Sequence, residues 1–388
     1  MQAEFVEQNG QPGAAPMSAQ QWEKSIDQMI SGLVDKLGDP HTRYMPRAEA
    51  KQFAEMMQGS FVGIGASVEK VAEGVKLTIV YPGSPAEKAG LFSGDVVTAI
   101  DGVSTKDQDV SAAVKRMRGE AGTLVKVRVL RLGQPVTIKR AAIQMPDLFA
   151  KLAAPGIGYV YFSQFGPDVD ARIFKKIDEL KRQGAVKLII DLRNNGGGLI
   201  SMAESIGSEF LQDKDVITMT KRQGQLATKA LTDGPGRFFG MPLAVLVNDG
   251  SASASEILAA ALQEHGKATI VGSQSYGKGS FQLPMPTEIP VFAPGGYVVG
   301  SREDGTIIKV TEGGWYTPND RSVEGKHDPA TGRNVPGSGG VTPDEKVAMS
   351  AEDETKVMVG INEQLFSRGA GAAADPVLSK AVEVLSRR

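Results

Sequence analysis

From about Gly156 onward, short runs of almost unbroken apolar residues alternate with stretches of helical spacing, and no other feature restricts the fold so tightly. Ile157-Gly158-Tyr159-Val160-Tyr161-Phe162, Leu188-Ile189-Ile190-Asp191-Leu192 and Leu243-Ala244-Val245-Leu246-Val247 read as strands, with a helix from about residue 171 to 183 between the first two. A strand apolar at nearly every position needs cover on both faces, which a βαβ arrangement supplies. The expectation is an α/β core around a buried sheet. The composition permits it: 388 residues, 41% hydrophobic and 23% charged, is ordinary for a globular chain of two or three domains.

Ahead of that stretch the texture differs. Residues up to about Ala15 are rich in Gly, Pro and Gln and are expected to fray. Over residues 18–37, Trp22, Ile26, Met29, Ile30, Leu33, Val34 and Leu37 recur at helical spacing until Gly38-Asp39-Pro40 ends the helix. Such a terminal helix packs on its own chain or contacts a second copy. Between about Gln58 and Met145 short strands and turns follow one another, with strands over 75–80 and 125–130 and a helix over 110–118. Asp101-Gly102 after an apolar run is a strong hairpin signal, and the whole reads as a small β-rich module. Residues 324–340, rich in Gly, Pro and polar side chains, read as a loop, and 376–385 as a last helix.

What chemistry the chain can carry is narrowed by what it lacks. It has no cysteine, which removes thiol nucleophiles, disulfides, cysteine-ligated zinc and iron–sulfur clusters together. Its three histidines, His41, His265 and His327, are scattered and form no HExxH pair, so neither a metal nor a cofactor is expected. A net charge of -2 gives no support to a nucleic-acid partner. No run approaches the roughly 18 apolar residues of a membrane-spanning helix.

Two segments remain. Asp191-Leu192-Arg193-Asn194-Asn195-Gly196-Gly197-Gly198-Leu199 follows a strand and precedes a helix; its glycines either make a tight turn or bring backbone N–H groups to an anion. Val247-Asn248-Asp249-Gly250-Ser251-Ala252-Ser253-Ala254-Ser255-Glu256 ends a buried strand and opens a helix, where a serine either caps the helix or presents its hydroxyl. A base for that serine is not easily found among the histidines. His265 lies 12 residues beyond Ser253, roughly 18 Å along a helix, while His41 and His327 sit in no motif that spacing alone interprets. Lys278, in Tyr276-Gly277-Lys278-Gly279, is the remaining candidate, because burial between glycines favours a neutral amine that accepts a proton. Gly272 to Lys278 also matches GxxxxGK, but Gly279 stands where a Ser or Thr is required, and Pro284 and Pro286 prevent the necessary helix. Nucleotide binding is set aside.

Taken together, Ser251-Ala252-Ser253-Ala254-Ser255-Glu256 and Tyr276-Gly277-Lys278-Gly279 resemble the carboxyl-terminal processing peptidases, tail-specific serine proteases with a Ser–Lys dyad and a PDZ domain. Asp39-Pro40-His41-Thr42-Arg43-Tyr44, Gly83-Ser84-Pro85-Ala86, Gly314-Trp315-Tyr316-Thr317-Pro318 and Gly340-Val341-Thr342-Pro343-Asp344 look like further landmarks of that family, so the likeness covers nearly the whole chain. The resemblance implies that Ser253 is the nucleophile and Lys278, 25 residues later, its base. It also implies that Gln282 orients the lysine and that Gly198 and Ala254 form the oxyanion hole. Phe61, Val62, Gly63, Ile64 and Gly65 would supply a peptide-binding loop, and Arg118 is a candidate for coupling that module to the active site.

The implied architecture is an α/β ClpP/crotonase-like protease core over 146–350 with a mostly-β PDZ domain over 58–145 inserted ahead of it. Helical terminal segments over 1–57 and 351–388 are expected to pack or oligomerise. Partners would be protein or peptide substrates held by their C-termini, an adaptor protein and further copies of the chain, with gating between resting and active states. Residues 286–308 and 324–339 look longer than the usual family loops. Met1-Gln2-Ala3-Glu4-Phe5 lacks a basic n-region and an apolar h-region, so the expectation is a mature form, periplasmic or otherwise exported. Two other readings compete: a catalytically silent PDZ scaffold, and a crotonase-like enzyme acting on an acyl-CoA. Ser253, Lys278 and Gln282 together argue against the first, and the PDZ module and dyad against the second.

Overall fold

The structure, a computed structural model, describes residues 18–39, 41–57, 60–144, 146–292, 298–326, 328, 335, 337–365 and 374–387. The chain starts with helix α1 (Ala19–Asp35), whose Ser18 and Gln21 form a reciprocal capping box. Strand β1 (Arg43–Met45) and helix α2 (Arg47–Met57) follow. Pro40, proposed as part of the stop after α1, lies outside the described residues, as does His327.

A small module comes next. Its strands are β2 (Ser60–Gly63), β3 (Ala66–Val71), β4 (Gly74–Val80), β5 (Val96–Ile100), β6 (Val103–Ser104), β7 (Leu124–Val129), β8 (Val136–Lys139) and β9 (Ala141–Gln144), with helices α3 (Pro85–Lys88) and α4 (Val110–Met117). The main sheet runs β3-β4-β5-β7-β8, and β2 pairs with β9 apart from it. Asp101 (φ 48°) and Gly102 (φ 80°) turn β5 into β6, the two consecutive positive φ values that a tight hairpin demands. Period-two burial along β7 sends Val125, Val127 and Val129 inward, against Leu77, Val97, Ile100 and the Ala113 and Met117 face of α4.

The second part is built on β10 (Leu148–Ala154), β11 (Ile157–Phe162), α5 (Val169–Arg182), β12 (Lys187–Asp191), α6 (Ile200–Ser208), β13 (Val216–Arg222), β14 (Gln225–Leu231), β15 (Leu243–Val247), α7 (Ala254–Glu264) and β16 (Ala268–Gly272). β17 (Ser280–Phe292), β18 (Val298–Tyr316), β19 (Glu345–Lys346), α8 (Ala351–Leu365) and α9 (Pro376–Ser386) complete the chain. The central sheet runs β10-β11-β12-β15-β16-β19 and is parallel except for β10. Alternate residues feed two cores. Val160, Ile190, Val245 and Ile270 pack under α5, α6 and α7, while Tyr159, Ile189, Ala244 and Val271 pack under α8 and α9. Cover on both faces is what made these strands read as unbroken apolar runs.

One expectation is corrected here. Residues 286–308 are not an extended loop: β17 and β18 pair as a long antiparallel hairpin out to Phe292↔Val298, and residues 293–297 lie outside the described residues. Comparison with the family's loops suggested otherwise; among the described residues β17 pairs with β18 alone, and proline is tolerated on such an edge strand. Of residues 324–339, those described fold back on the rest of the chain, with Gly325 N–H donating to the Gly277 carbonyl at 3.0 Å.

Candidate functional site

Three loops meet at the carboxyl ends of the parallel strands, the edge at which open α/β sheets place their ligands. The loop after β12 carries Gly198, the turn after β15 carries Ser253, and the loop after β16 carries Lys278. The three serines of the β15 turn take different parts. Ser251 is fully buried and its hydroxyl donates to the Leu192 carbonyl at 2.8 Å. Ser255, also fully buried, donates to the Asn195 carbonyl at 2.7 Å. These two bind the turn to the β12 loop and leave Ser253 as the partly exposed serine between them. Ser253 has φ 57° and ψ −115°, a strained conformation for a side-chain-bearing residue that sets it at a sharp strand-to-helix corner.

Glu256 holds that corner to the Lys278 loop. Its carboxylate is completely buried and accepts four hydrogen bonds, from Ser253 N–H (2.8 Å), Lys278 N–H (2.9 Å), Gly277 N–H (2.6 Å) and the Ser275 hydroxyl (2.6 Å). Burial pushes the carboxyl pKa up, and the four donors act against that shift. Trp315, buried at 1% exposure, donates from Nε1 to the Lys278 carbonyl at 2.8 Å. Lys278 is thereby clamped by its backbone while its side chain stays available.

The Lys278 ammonium is disfavoured chiefly by burial and then by the neighbouring Lys309, with Glu324 and Glu256 opposing, so its pKa falls below the usual lysine value. Its Nζ donates to Gln282 Oε1 at 3.0 Å, and Gln282 Nε2 donates to Ser280 Oγ at 3.1 Å. Among the described residues no hydrogen bond joins Nζ to Ser253 Oγ. His41 lies within electrostatic reach of Lys278, and burial together with that positive charge lowers its pKa. His265 caps the far end of α7, where its Nε2 meets the Val216 carbonyl at 2.7 Å.

Gly198 and Ala254 are brought together by a separate feature. Phe165 N–H donates to the Gly197 carbonyl at 2.9 Å and Leu199 N–H to the Phe165 carbonyl at 2.8 Å, a parallel bridge that turns the N–H of Gly198 itself away. Gly198 is at φ 144°, and a Cβ there would stand 2.4 Å from the Phe165 carbonyl oxygen, so another residue would open the bridge. Ala254 is the first residue of α7, where helix N–H groups have no partner within the helix. Among the described residues, neither the Gly198 nor the Ala254 N–H has an acceptor.

The small module carries a second site. Among the described residues β3 is an edge strand, unpaired on the side away from β4, and with α4 it bounds a cavity of about 530 Å³. Phe61, Gly63, Ile64 and Gly65 line it, with Val114 and Met117 opposite; Val62, on the other face of β2, does not. Arg118 is at its mouth, with the guanidinium carbon 5.2 Å from the centre of the Phe61 ring. Among the described residues no hydrogen bond or ion pair joins the Arg118 side chain to the larger part of the molecule. Asp147, Ser163 and Gln164 of that part nevertheless border the same cavity.

The fold and site thus define a two-part chain: a module with a peptide-sized groove beside an open strand edge, and an α/β core that gathers a serine, a lysine and two unpartnered N–H groups. Residues 156–347 match the model of peptidase family S41 and residues 78–131 that of the PDZ domain. The "Probable CtpA-like serine protease" of Staphylococcus saprophyticus is 33% identical over 332 residues, covering 85% of this chain and 62% of that protein. The "Carboxy-terminal processing protease CtpA" of Bacillus subtilis is 32% identical over 308 residues, covering 78% and 62%. A crystal structure of an S41-type protein from Bacteroides fragilis shares the fold, with a TM-score of 0.54 at 13% identity over 97% of this chain and 93% of that one. The chain therefore contains a peptidase family S41 domain and, ahead of it, a PDZ domain. It spans about three fifths of the length of the curated relatives it matches.

Glu256, Trp315 and His41 were not assigned roles by reading the sequence. For Glu256 a signal existed: Ser253 and Glu256 stand at the S-x-x-E spacing of a helix start. Nothing local could reveal that its carboxylate also serves the Lys278 loop.

Proposed function

We propose that this chain is a serine endopeptidase that cleaves proteins recognised through their C-terminal tails. The core would be of the ClpP/crotonase-like type. Neutral Lys278 takes the proton from Ser253 Oγ as that oxygen attacks the peptide carbonyl. The carbonyl oxygen becomes an oxyanion held by the Gly198 and Ala254 N–H groups, each worth roughly 3 kcal/mol. Lys278 then passes its proton to the departing amine, and water releases the acyl group by the same steps in reverse. Gln282 holds the amine through Oε1. The observation that carries this reading is the clamping of the Ser253 corner and the Lys278 loop onto the single buried carboxylate of Glu256, beside two unpartnered N–H groups. Casein cleavage separates it from a silent PDZ scaffold, which would bind a tail and cut nothing.

The missing Ser253–Lys278 hydrogen bond supports a gated enzyme, whose dyad closes when a tail occupies the groove. Arg118, between Phe61 and the residues bordering the groove, is the candidate for that coupling. A tail would add to the free edge of β3, its carboxylate meeting the N–H groups that follow β2. Amidating the C-terminus of a model substrate is therefore expected to raise KM about tenfold or more, the loss of one charge-assisted recognition; equal cleavage of acid and amide would end the tail-docking idea. The exposed stripe Trp22, Ile26, Met29 and Leu33 on α1 supports self-association, and the family resemblance supports export.

The lowered lysine pKa has a consequence with a definite sign. Only neutral Lys278 is a base, so kcat/KM rises with pH through that pKa. Lys309→Met removes a like charge, lets Lys278 hold its proton to higher pH, and is expected to move the acid limb upward by about 0.5–1 pH unit. Glu324, Glu256 and His41 also face the amine and are retained in this variant; Lys309 lowers the His41 pKa as well, so that imidazole shifts upward with it. A limb that stays put or moves down would show that Lys278 does not set it.

A further inference from the structure

Asp39, His41 and Thr42 are remote from Lys278 in sequence, yet the sheet of β1, β18 and β17 carries them to it. β1 pairs with β18 through Arg43↔Lys309 and Met45↔Ile307. β18 pairs with β17, and Gln282 has Thr311 as its direct cross-strand partner, beside a bulge between Phe281 and Gln282. Bulges re-aim side chains in this way next to functional sites. Thr42 closes the tie, since its Oγ1 accepts from Thr311 N–H at 3.0 Å and donates to the Asp39 carboxylate. That carboxylate also accepts from His41 N–H at 3.0 Å, and the Thr311 side chain lies close enough to favour its ionised form. Finally, Thr311 Oγ1 accepts from Gln282 Nε2 at 3.4 Å.

The chain of bonds has a direction. An ionised carboxylate only accepts, so Asp39 draws the Thr311 hydroxyl proton toward itself, and the hydroxyl lone pairs are left for Gln282, whose Nε2 meets them. Only the NH₂ end of the Gln282 amide can meet them. Its Oε1 end then faces Lys278, where it accepts from Nζ at 3.0 Å. Ser280 Oγ, 3.1 Å from Nε2, can donate as well as accept and does not choose between the two ends. A reversed amide would aim its NH₂ at the amine and occupy the lone pair that must receive the serine proton.

We propose that Asp39 and Thr311 are positioning residues for the Ser253–Lys278 reaction: they set which end of the Gln282 amide faces Lys278. The segment ahead of the PDZ module is in that case part of the catalytic apparatus. The inference rests on the Ser–Lys reading above, and the experiment keeps the two apart.

The test measures kcat and KM of the full chain on a peptide substrate for Thr311→Val, Thr311→Ser and Asp39→Ala, each made also in a Gln282→Ala background. Thr311→Val is expected to lower kcat about tenfold with KM within about twofold, and Thr311→Ser to restore kcat to within about twofold. In the Gln282→Ala background Thr311→Val and Asp39→Ala should each change kcat less than about twofold, because the group they act through is gone. Asp39→Ala serves as the second variant should Thr311→Val not fold, as judged by its melting curve. Wild-type kcat in Thr311→Val, or the same loss in both backgrounds, overturns the proposal. Lys278→Ala distinguishes the readings: if it stays active the dyad itself fails, whereas an inactive Lys278→Ala beside a fully active Thr311→Val overturns only the role of Thr311 and Asp39.

Discussion

Ser253→Ala and Lys278→Ala are each expected to lower kcat at least about a thousandfold, the scale on which members of a catalytic unit fail alone, with melting temperatures close to the parent's. The fold should survive for identifiable reasons. The bond that Ser253 gives to Glu256 comes from its backbone N–H and persists in alanine, and alanine at φ 57° is strained no more than serine. Lys278 likewise contributes its N–H to Glu256 and its carbonyl to Trp315, while its Nζ meets Gln282. Removing a half-buried ammonium relieves a desolvation cost and offsets the loss of that one side-chain bond. Proteolysis by the purified variants, beside their melting curves, checks both statements. Wild-type activity in Lys278→Ala would remove lysine as the base and turn attention to His41, the histidine within its electrostatic reach.

Glu256 should behave in the opposite manner, losing stability and activity together. Glu256→Ala leaves two N–H groups of the Lys278 loop, the Ser253 N–H and the Ser275 hydroxyl without their shared acceptor at a buried site. If even two or three of these four donors stay unsatisfied, the cost is about 3–5 kcal/mol, a fall in melting temperature on the order of 10 °C. Glu256→Gln keeps one acceptor oxygen but turns an NH₂ toward donors, so it should fall between alanine and the parent. Catalysis suffers because the nucleophile's corner and the base's loop are registered to each other through this carboxylate. An alanine variant that melts with the parent would show that water or loop relaxation satisfies the four groups and that Glu256 is not the clamp.

Periodicity was enough for the elements whose burial is set locally. β7, with Val125, Val127 and Val129 inward, and β15, apolar throughout, are read directly because each residue's environment follows from its place in its own strand. The β17–β18 hairpin was misread because its prolines looked like punctuation, although its two strands pair with each other along most of their length. The same limit applied to the three serines. Ser251, Ser253 and Ser255 are equivalent by residue type, and what separates them is the loop after β12, whose Leu192 and Asn195 carbonyls engage the outer two.

By itself the sequence determined a two-sided buried sheet, a β-rich module before it, the exclusion of thiol and paired-histidine metal chemistry, and a set of candidate residues near three turns. These follow from composition and short-range spacing, which act through local geometry. Tertiary structure alone decided which groups meet. The carboxylate of Glu256 reaches both the Ser253 corner and the Lys278 loop, Phe165 turns the Gly198 N–H outward, and Asp39 arrives beside Gln282 through Thr311. Hydrogen bonds reach only about 3 Å, so residues distant along the chain are chemically related only once the sheet has placed them side by side.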